Sequence, residues 1–146
     1  MEQLNQFMTY AQEAVLLGRE CLLKYFGKIK QIEEKDQAAG LVSEADKESE
    51  RIISEYLKLK CPDFDFLGEE SAYEMNQSQF DISEKPRWIL DPLDGTTNFV
   101  HRFPVFCISL ALEYKGDILL GIIDMPILNQ NFYSIKGQGA FCKCLS

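Results

Sequence analysis

The hydrophobic period changes once along this chain, and that change constrains the fold more than any other feature. From Leu4, apolar or small residues recur at Phe7, Met8, Ala11, Ala14, Val15, Gly18, Cys21, Leu22 and Tyr25. The spacing is that of one helix face, so a long amphipathic helix is predicted, with Gly27 as its C-cap. A charged, loop-like stretch from Lys28 to Gly40 follows. Ser43-Glu44-Ala45-Asp46 has the form of an N-cap box and predicts a second helix, with Ile52, Ile53, Tyr56 and Leu57 turned inward and its end before Pro62. Beyond His101 the chain is β-rich. Val105 to Tyr114, Ile118 to Asp124 and Asn131 to Lys136 are separated by Lys115-Gly116-Asp117 and by Met125 to Asn129, as in successive hairpins. Helices first and an antiparallel meander after predict an α+β sandwich in a single domain.

Between these halves, Phe64 to Leu67 reads as a short strand and Ser71 to Pro86 as a polar surface excursion. Trp88-Ile89-Leu90 reads as a buried core strand that ends at Asp91-Pro92. With 146 residues, 46% of them apolar, the chain is long enough to bury a core without a disulfide or structural metal. Its formal net charge of -8 argues against nucleic acid as a partner, because a phosphate backbone requires a basic surface. The five cysteines have no C-x-x-C spacing and read as reduced thiols. No signal peptide or apolar run of membrane-spanning length is seen, so a cytoplasmic protein with no membrane partner is expected.

The chemistry concentrates in Asp91-Pro92-Leu93-Asp94-Gly95-Thr96-Thr97-Asn98. Two carboxylates leave the end of a buried strand, and Pro92 stiffens the backbone between them so that they can converge. Carboxylate oxygens, with the Leu93 carbonyl beside them, are ligands for hard cations such as Mg²⁺. A short helix opening at Gly95-Thr96-Thr97 would aim free N–H groups at the same spot and favour a phosphate there. Taken singly the pieces are bland: Asp-Gly is usually a turn, Asp91 can cap a strand, and the threonines can cap a helix. Asp-Pro-x-Asp-Gly-Thr-Thr as a whole occurs by chance on the order of once in 10⁸ starts at average composition.

The run from Trp88 through Asp91-Pro92-Leu93-Asp94-Gly95-Thr96-Thr97 to Pro104 resembles the signature of the inositol monophosphatase family. Gly68-Glu69-Glu70-Ser71 resembles the family's Gly-Glu-Glu-Ser turn, and Leu41-Val42-Ser43-Glu44-Ala45-Asp46 its Leu-Val-Thr-x-Ala-Asp segment. Gly137-Gln138-Gly139-Ala140-Phe141 resembles its Gly-x-Gly-Ala-Phe strand end. The resemblance implies the layered αβαβα sandwich of inositol monophosphatase and fructose-bisphosphatase, represented by two helices and an antiparallel sheet.

For the site, the resemblance implies a first Mg²⁺ held by Glu69, Asp91 and the Leu93 carbonyl, and a second held by Asp91 and Asp94. It implies that Glu69 and Thr96 position the attacking water, that Asp46 accepts a hydrogen bond from the Thr96 hydroxyl, and that Gly95 and Thr96 bind the phosphate with Asp94 nearby. Asp46 also reads as a helix N-terminal acid, Glu70 as a solvated neighbour of Glu69, and His101, the only histidine, as a structural hydrogen-bonding group.

The sequence departs from the family pattern in two places. Gly40 stands where the family usually has Asp, which bears on loop contacts. The family also continues into a C-terminal α/β half, where a Trp-Asp-x-Ala-Ala-Gly segment supplies a further Asp to the second metal, whereas this sequence closes at Lys143-Cys144-Leu145-Ser146. Weakened metal binding and an exposed sheet edge are therefore expected. The leading expectation is Mg²⁺-dependent hydrolysis of a small phosphorylated polyol, inositol monophosphate first. The alternatives are an inactive fragment serving as a binding or dimerisation module, as a homodimer or with a full-length paralogue, and a phosphatase of the sugar-bisphosphate or nucleotide branch.

Overall fold

The structure is a computed structural model that describes residues 2–69 and 83–144. Helix α1 runs Glu2–Ile29 and α2 runs Lys35–Lys60. Strand β1 (Asp65–Gly68) and β2 (Arg87–Asp94) follow, then the short helix α3 (Thr96–Val100). Strands β3 (Cys107–Tyr114), β4 (Asp117–Met125), β5 (Gln130–Ile135) and β6 (Gly139–Cys144) complete the chain.

Both helix boundaries differ from the expectation. Gly27 lies inside the last turn of α1, because the helix continues far enough to bury Ile29 beside Phe26. Helix α2 opens at Lys35, so Ser43-Glu44-Ala45-Asp46 is interior and no cap box exists there. The charged residues from Lys35 onward conceal a helical stripe: Ala38, Val42, Ala45, Ser49, Ile53 and Leu57 are all buried at three- and four-residue steps. Gly40 is an exposed helical position with open space where a side chain would stand, not part of a loop.

The six strands form one sheet in sequence order, β1 to β6. Neighbours from β2 to β6 are antiparallel, but β1 runs parallel to β2, so the sheet is mixed. A parallel neighbour needs a long crossover, which fits the separation of Gly68 from Arg87. The predicted excursion from Ser71 to Pro86 falls mostly outside the described residues, as does Glu70. Lys115 and Gly116 both take positive φ, 52° and 82°, as a two-residue hairpin turn requires. The sixth strand lacks an inward apolar set, and all six of its positions are exposed, which is why hydrophobic alternation does not reveal it.

Alternation on the central strands separates two faces. Trp88, Leu90, Ile108, Leu110, Leu112, Leu120 and Ile122 are buried and join Val15, Leu22, Ile53 and Leu57 of the helices in one core. Burying each such side chain contributes roughly 1.5–3 kcal/mol, which holds the helix layer to the sheet. The opposite face carries Ser109, Ala111, Gly121 and the exposed Ile123. At one end, Phe26, Phe99 and Phe106 pack edge-on with centroids 4.7–5.3 Å apart. That cluster anchors α3 through its one fully buried residue, Phe99.

Candidate active site

The sequence predicted that β2 stops at Asp91-Pro92, but the strand continues to Asp94 through a bulge. Asp91 pairs with Ser109 and Asp94 with Cys107, so three steps on β2 oppose two on β3. Pro92 sits in the irregular segment, where its missing N–H costs the ladder nothing. The extra residue has a geometric consequence. Side chains three apart on a regular strand point to opposite faces. Ser109 and Cys107, two apart, share a face, and through the bulge Asp91 and Asp94 share that face with them.

The parallel register brings in a third acid. Gly68 lies beside Leu90, so the next residue, Glu69, comes alongside Asp91. The two carboxyl groups hydrogen-bond to each other. Burial, then the Glu69 hydrogen bond and charge, push the Asp91 pKa up to about 7, and Asp94 adds a smaller push. The Leu93 N–H, donated to Asp91 Oδ1 at 3.1 Å, pulls the other way. Crowding beside Glu69 thus favours the protonated form of Asp91.

Gly95 joins this segment to α3 with φ of 92°, a left-handed conformation, and a Cβ there would stand 3.2 Å from the Val105 carbonyl. Glycine is required on both counts. The first intrahelical bond of α3 runs from the Phe99 N–H to the Gly95 carbonyl at 3.0 Å, which leaves the amides ahead of it outside the helix ladder. Thr96 and Thr97 are exposed at that end. His101 closes the helix, is exposed, and donates its backbone N–H to the Thr97 carbonyl at 3.1 Å.

Helix α2 packs against β1, β2 and α3 from the core side. It presents Asp46, Ser49 and Glu50 there, all buried. Asp46 lies well inside α2, which rules out the reading of it as a helix N-terminal acid. Ser49 donates its hydroxyl to the Pro92 carbonyl at 3.3 Å. Ser49 and Glu50 were not singled out from the sequence. The signal was a polar pair on the buried stripe of α2, visible only once that stripe is extended back to Ala38. Cys107 was also missed: it donates to Asp94 Oδ2 at 3.8 Å, and burial with the charges of Asp94 and Asp91 pushes its thiol up to about 12.

Every candidate donor here is an oxygen, and the Glu69–Asp91 pair concentrates negative charge on the face that Asp94 shares. In chemistry this set fits a hard divalent cation. Among the described residues, no three His, Cys, Asp or Glu side chains stand close enough together to hold one ion. Leu93 buries its side chain and turns its N–H to Asp91, immediately before Asp94.

The sequence matches the inositol monophosphatase family over residues 3–145. The chain belongs to that family. Inositol monophosphatase of Dictyostelium discoideum is 40% identical over 139 residues, covering 94% of this chain and 50% of the relative. Inositol monophosphatase 3 of Solanum lycopersicum is 39% identical over 137 residues, with the same coverage. Among solved structures, inositol monophosphatase from Anabaena superposes with TM-score 0.76 at 31% identity, covering 97% of this chain and 47% of that one. The extragenic suppressor protein suhB of Bartonella henselae also gives 0.76, at 36% identity, covering 94% and 51%. The α+β fold is thus that of inositol monophosphatases, and the chain spans about half the length of the relatives it matches. Among the described residues, no helix is long and apolar enough to cross a membrane.

Proposed function

We propose that this chain carries the metal- and phosphate-binding half of a Mg²⁺-dependent phosphomonoesterase acting on a small phosphorylated polyol, inositol monophosphate first. The observation that carries this reading is the bulge at Pro92, which puts Asp91 and Asp94 on one face, next to the register that sets Glu69 beside Asp91. Glu69, Asp91 and the Leu93 carbonyl would hold one Mg²⁺, and Asp91 with Asp94 a second. Bound Mg²⁺ supplies charge neutralisation for the phosphate oxygens and for the leaving alkoxide. Glu69 and the Thr96 hydroxyl orient a water in line with the phosphorus, and Asp46 accepts the Thr96 hydroxyl proton in a hydrogen bond. The Gly95 and Thr96 amides hold the phosphate. Water's oxygen bonds to phosphorus, the ester P–O bond breaks, and water's protons end on the alcohol and phosphate. A cytoplasmic setting, with reduced thiols, accords with five free cysteines.

The test is phosphate release from inositol 1-phosphate by the purified chain, with and without Mg²⁺, beside Asp94→Asn. Metal-dependent release that falls more than about a hundredfold in the variant is expected. Equal rates in the two proteins would refute the reading. A second reading, an inactive module that pairs with another subunit or a second copy, is favoured by one feature. The face away from the helices exposes Ile123 and Phe132, Phe141 is exposed on the other face beside Tyr133, and β6 is exposed throughout. Folded chain that releases no phosphate but co-purifies with an intact family member would support it.

A further inference from the structure

We propose that Ser49 and Glu50 of α2 form a positioning clamp that sets the distance between the two acid-bearing strand ends. The clamp's role in cation affinity rests on the function proposed above, but its geometry does not.

Two contacts define it. Ser49, fully buried, donates to the carbonyl of Pro92, one of the two residues between Asp91 and Asp94 in the bulge. Glu50, also buried, lies face-on against Gly68, the residue before Glu69. A Cβ on Gly68 would stand 2.3 Å from the Glu50 carboxyl carbon and 2.5 Å from each of its oxygens. Gly68 is therefore glycine because a carboxylate occupies the place of its side chain, not because its backbone is strained. Adjacent residues of one rigid helix thus touch the backbone immediately beside Glu69 and inside the Asp91–Asp94 bulge. Helix α2 is held in turn by Ile53 and Leu57 in the core.

The arrangement answers a physical need. Glu69 and Asp91 crowd two carboxyl groups together, and repulsion opens such a pair whenever both are ionised unless the backbone is held. Bulges and strand ends are also where a sheet is most easily deformed. A helix that grips both ends by main-chain contacts supplies the restraint without adding a ligand. Neither Ser49 nor Glu50 need touch a cation or a substrate, so both are positioning residues.

The experiment compares Glu50→Ala, Glu50→Asp, Glu50→Gln and Ser49→Ala with the parent chain by two readouts. Amide hydrogen exchange, followed by NMR without metal, tests the clamp. Glu50→Ala and Ser49→Ala are expected to speed exchange selectively at Gly68, Asp91 and Leu93, leaving β4 and α1 unchanged. Uniform acceleration, or none at those amides, overturns the clamp. Ser49→Ala, a change of one oxygen, keeps the test valid should Glu50→Ala fail to fold. Mn²⁺ titration by electron paramagnetic resonance tests the consequence. Glu50→Ala and the shorter Glu50→Asp should weaken binding about tenfold, with the isosteric Glu50→Gln restoring it. Equal loss in Gln and Ala would show that the charge itself matters and would overturn a positioning role. Selective exchange with no Mn²⁺ binding by the parent chain would sink the proposed function and leave the clamp standing.

Discussion

Two groups of buried polar side chains in this protein obey opposite rules. Between α1 and the β4–β5 hairpin, Arg19 donates to Asp124 at 3.2 and 3.3 Å, to the Pro126 carbonyl at 3.0 Å and to Asn129. Asn131 donates to Asp124 at 3.0 Å, and Gln12 donates to Asn131 at 2.9 Å. Opposite charges are paired there, and Asp124 accepts from both Arg19 and Asn131. At the ends of β1 and β2, the Glu69 and Asp91 carboxyl groups are crowded together, with Asp94 adding to the charge that raises the Asp91 pKa. The first arrangement fastens a helix to a hairpin. The second is stable only with a proton or a cation, which is what a binding site requires.

The largest expected effect breaks the first group. Arg19→Ala leaves Asp124, fully buried, without its counter-charge, and should cost about 3–5 kcal/mol in chemical denaturation. A loss below about 1 kcal/mol would mean that the network is slack, and the contrast with the acid pair would fall. The second group should respond to pH instead. The folded Asp91 binds its proton more tightly than an unfolded aspartate, whose pKa is about 3.9. Its stabilising contribution is present below that value and is lost as pH rises through about 7. The melting temperature of metal-free protein should therefore fall between roughly pH 4 and pH 7, and Asp91→Asn should flatten that slope. A variant with the parent's slope would assign the titration to other groups. Over the same range a divalent cation competes with the proton, so its affinity should weaken up to about tenfold per pH unit below 7. Smallest of all is Arg51→Ala. Its bonds to Glu48 and Glu55 at 2.7 and 2.8 Å lie on the exposed face of α2, and the unfolding midpoint should not move measurably.

The two kinds of site also differ in how far they were legible in the sequence. Asp91, Asp94, Gly95 and Thr96 stand in one unbroken string, and a motif of that length is readable without a fold. Arg19, Asp124 and Asn131 are separated by up to 112 positions and carry no local pattern. Ser49 and Glu50 were hidden for a different reason. Charged residues between Lys35 and Lys47 obscured a helical stripe made of small residues, Ala38 and Ala45 among them. Strand β6 escaped notice because it buries nothing, so it leaves no alternation to read.

Local chemistry thus determined the order of elements, the change from a helical to a strand period, and the residue types able to hold a cation and a phosphate. These are properties of neighbours in the chain, and steric and hydrogen-bonding preferences act at that range. The tertiary structure alone decided that β1 lies parallel to β2, which brings Glu69 to Asp91, and that the bulge turns Asp91 and Asp94 to one face. It also decided that α2 grips both strand ends. A one-residue change in register would reverse those faces while leaving the sequence pattern almost unaltered, because the side-chain period of a strand is two. Packing of Trp88, Leu90 and the β3 core against the helices selects the register that buries them.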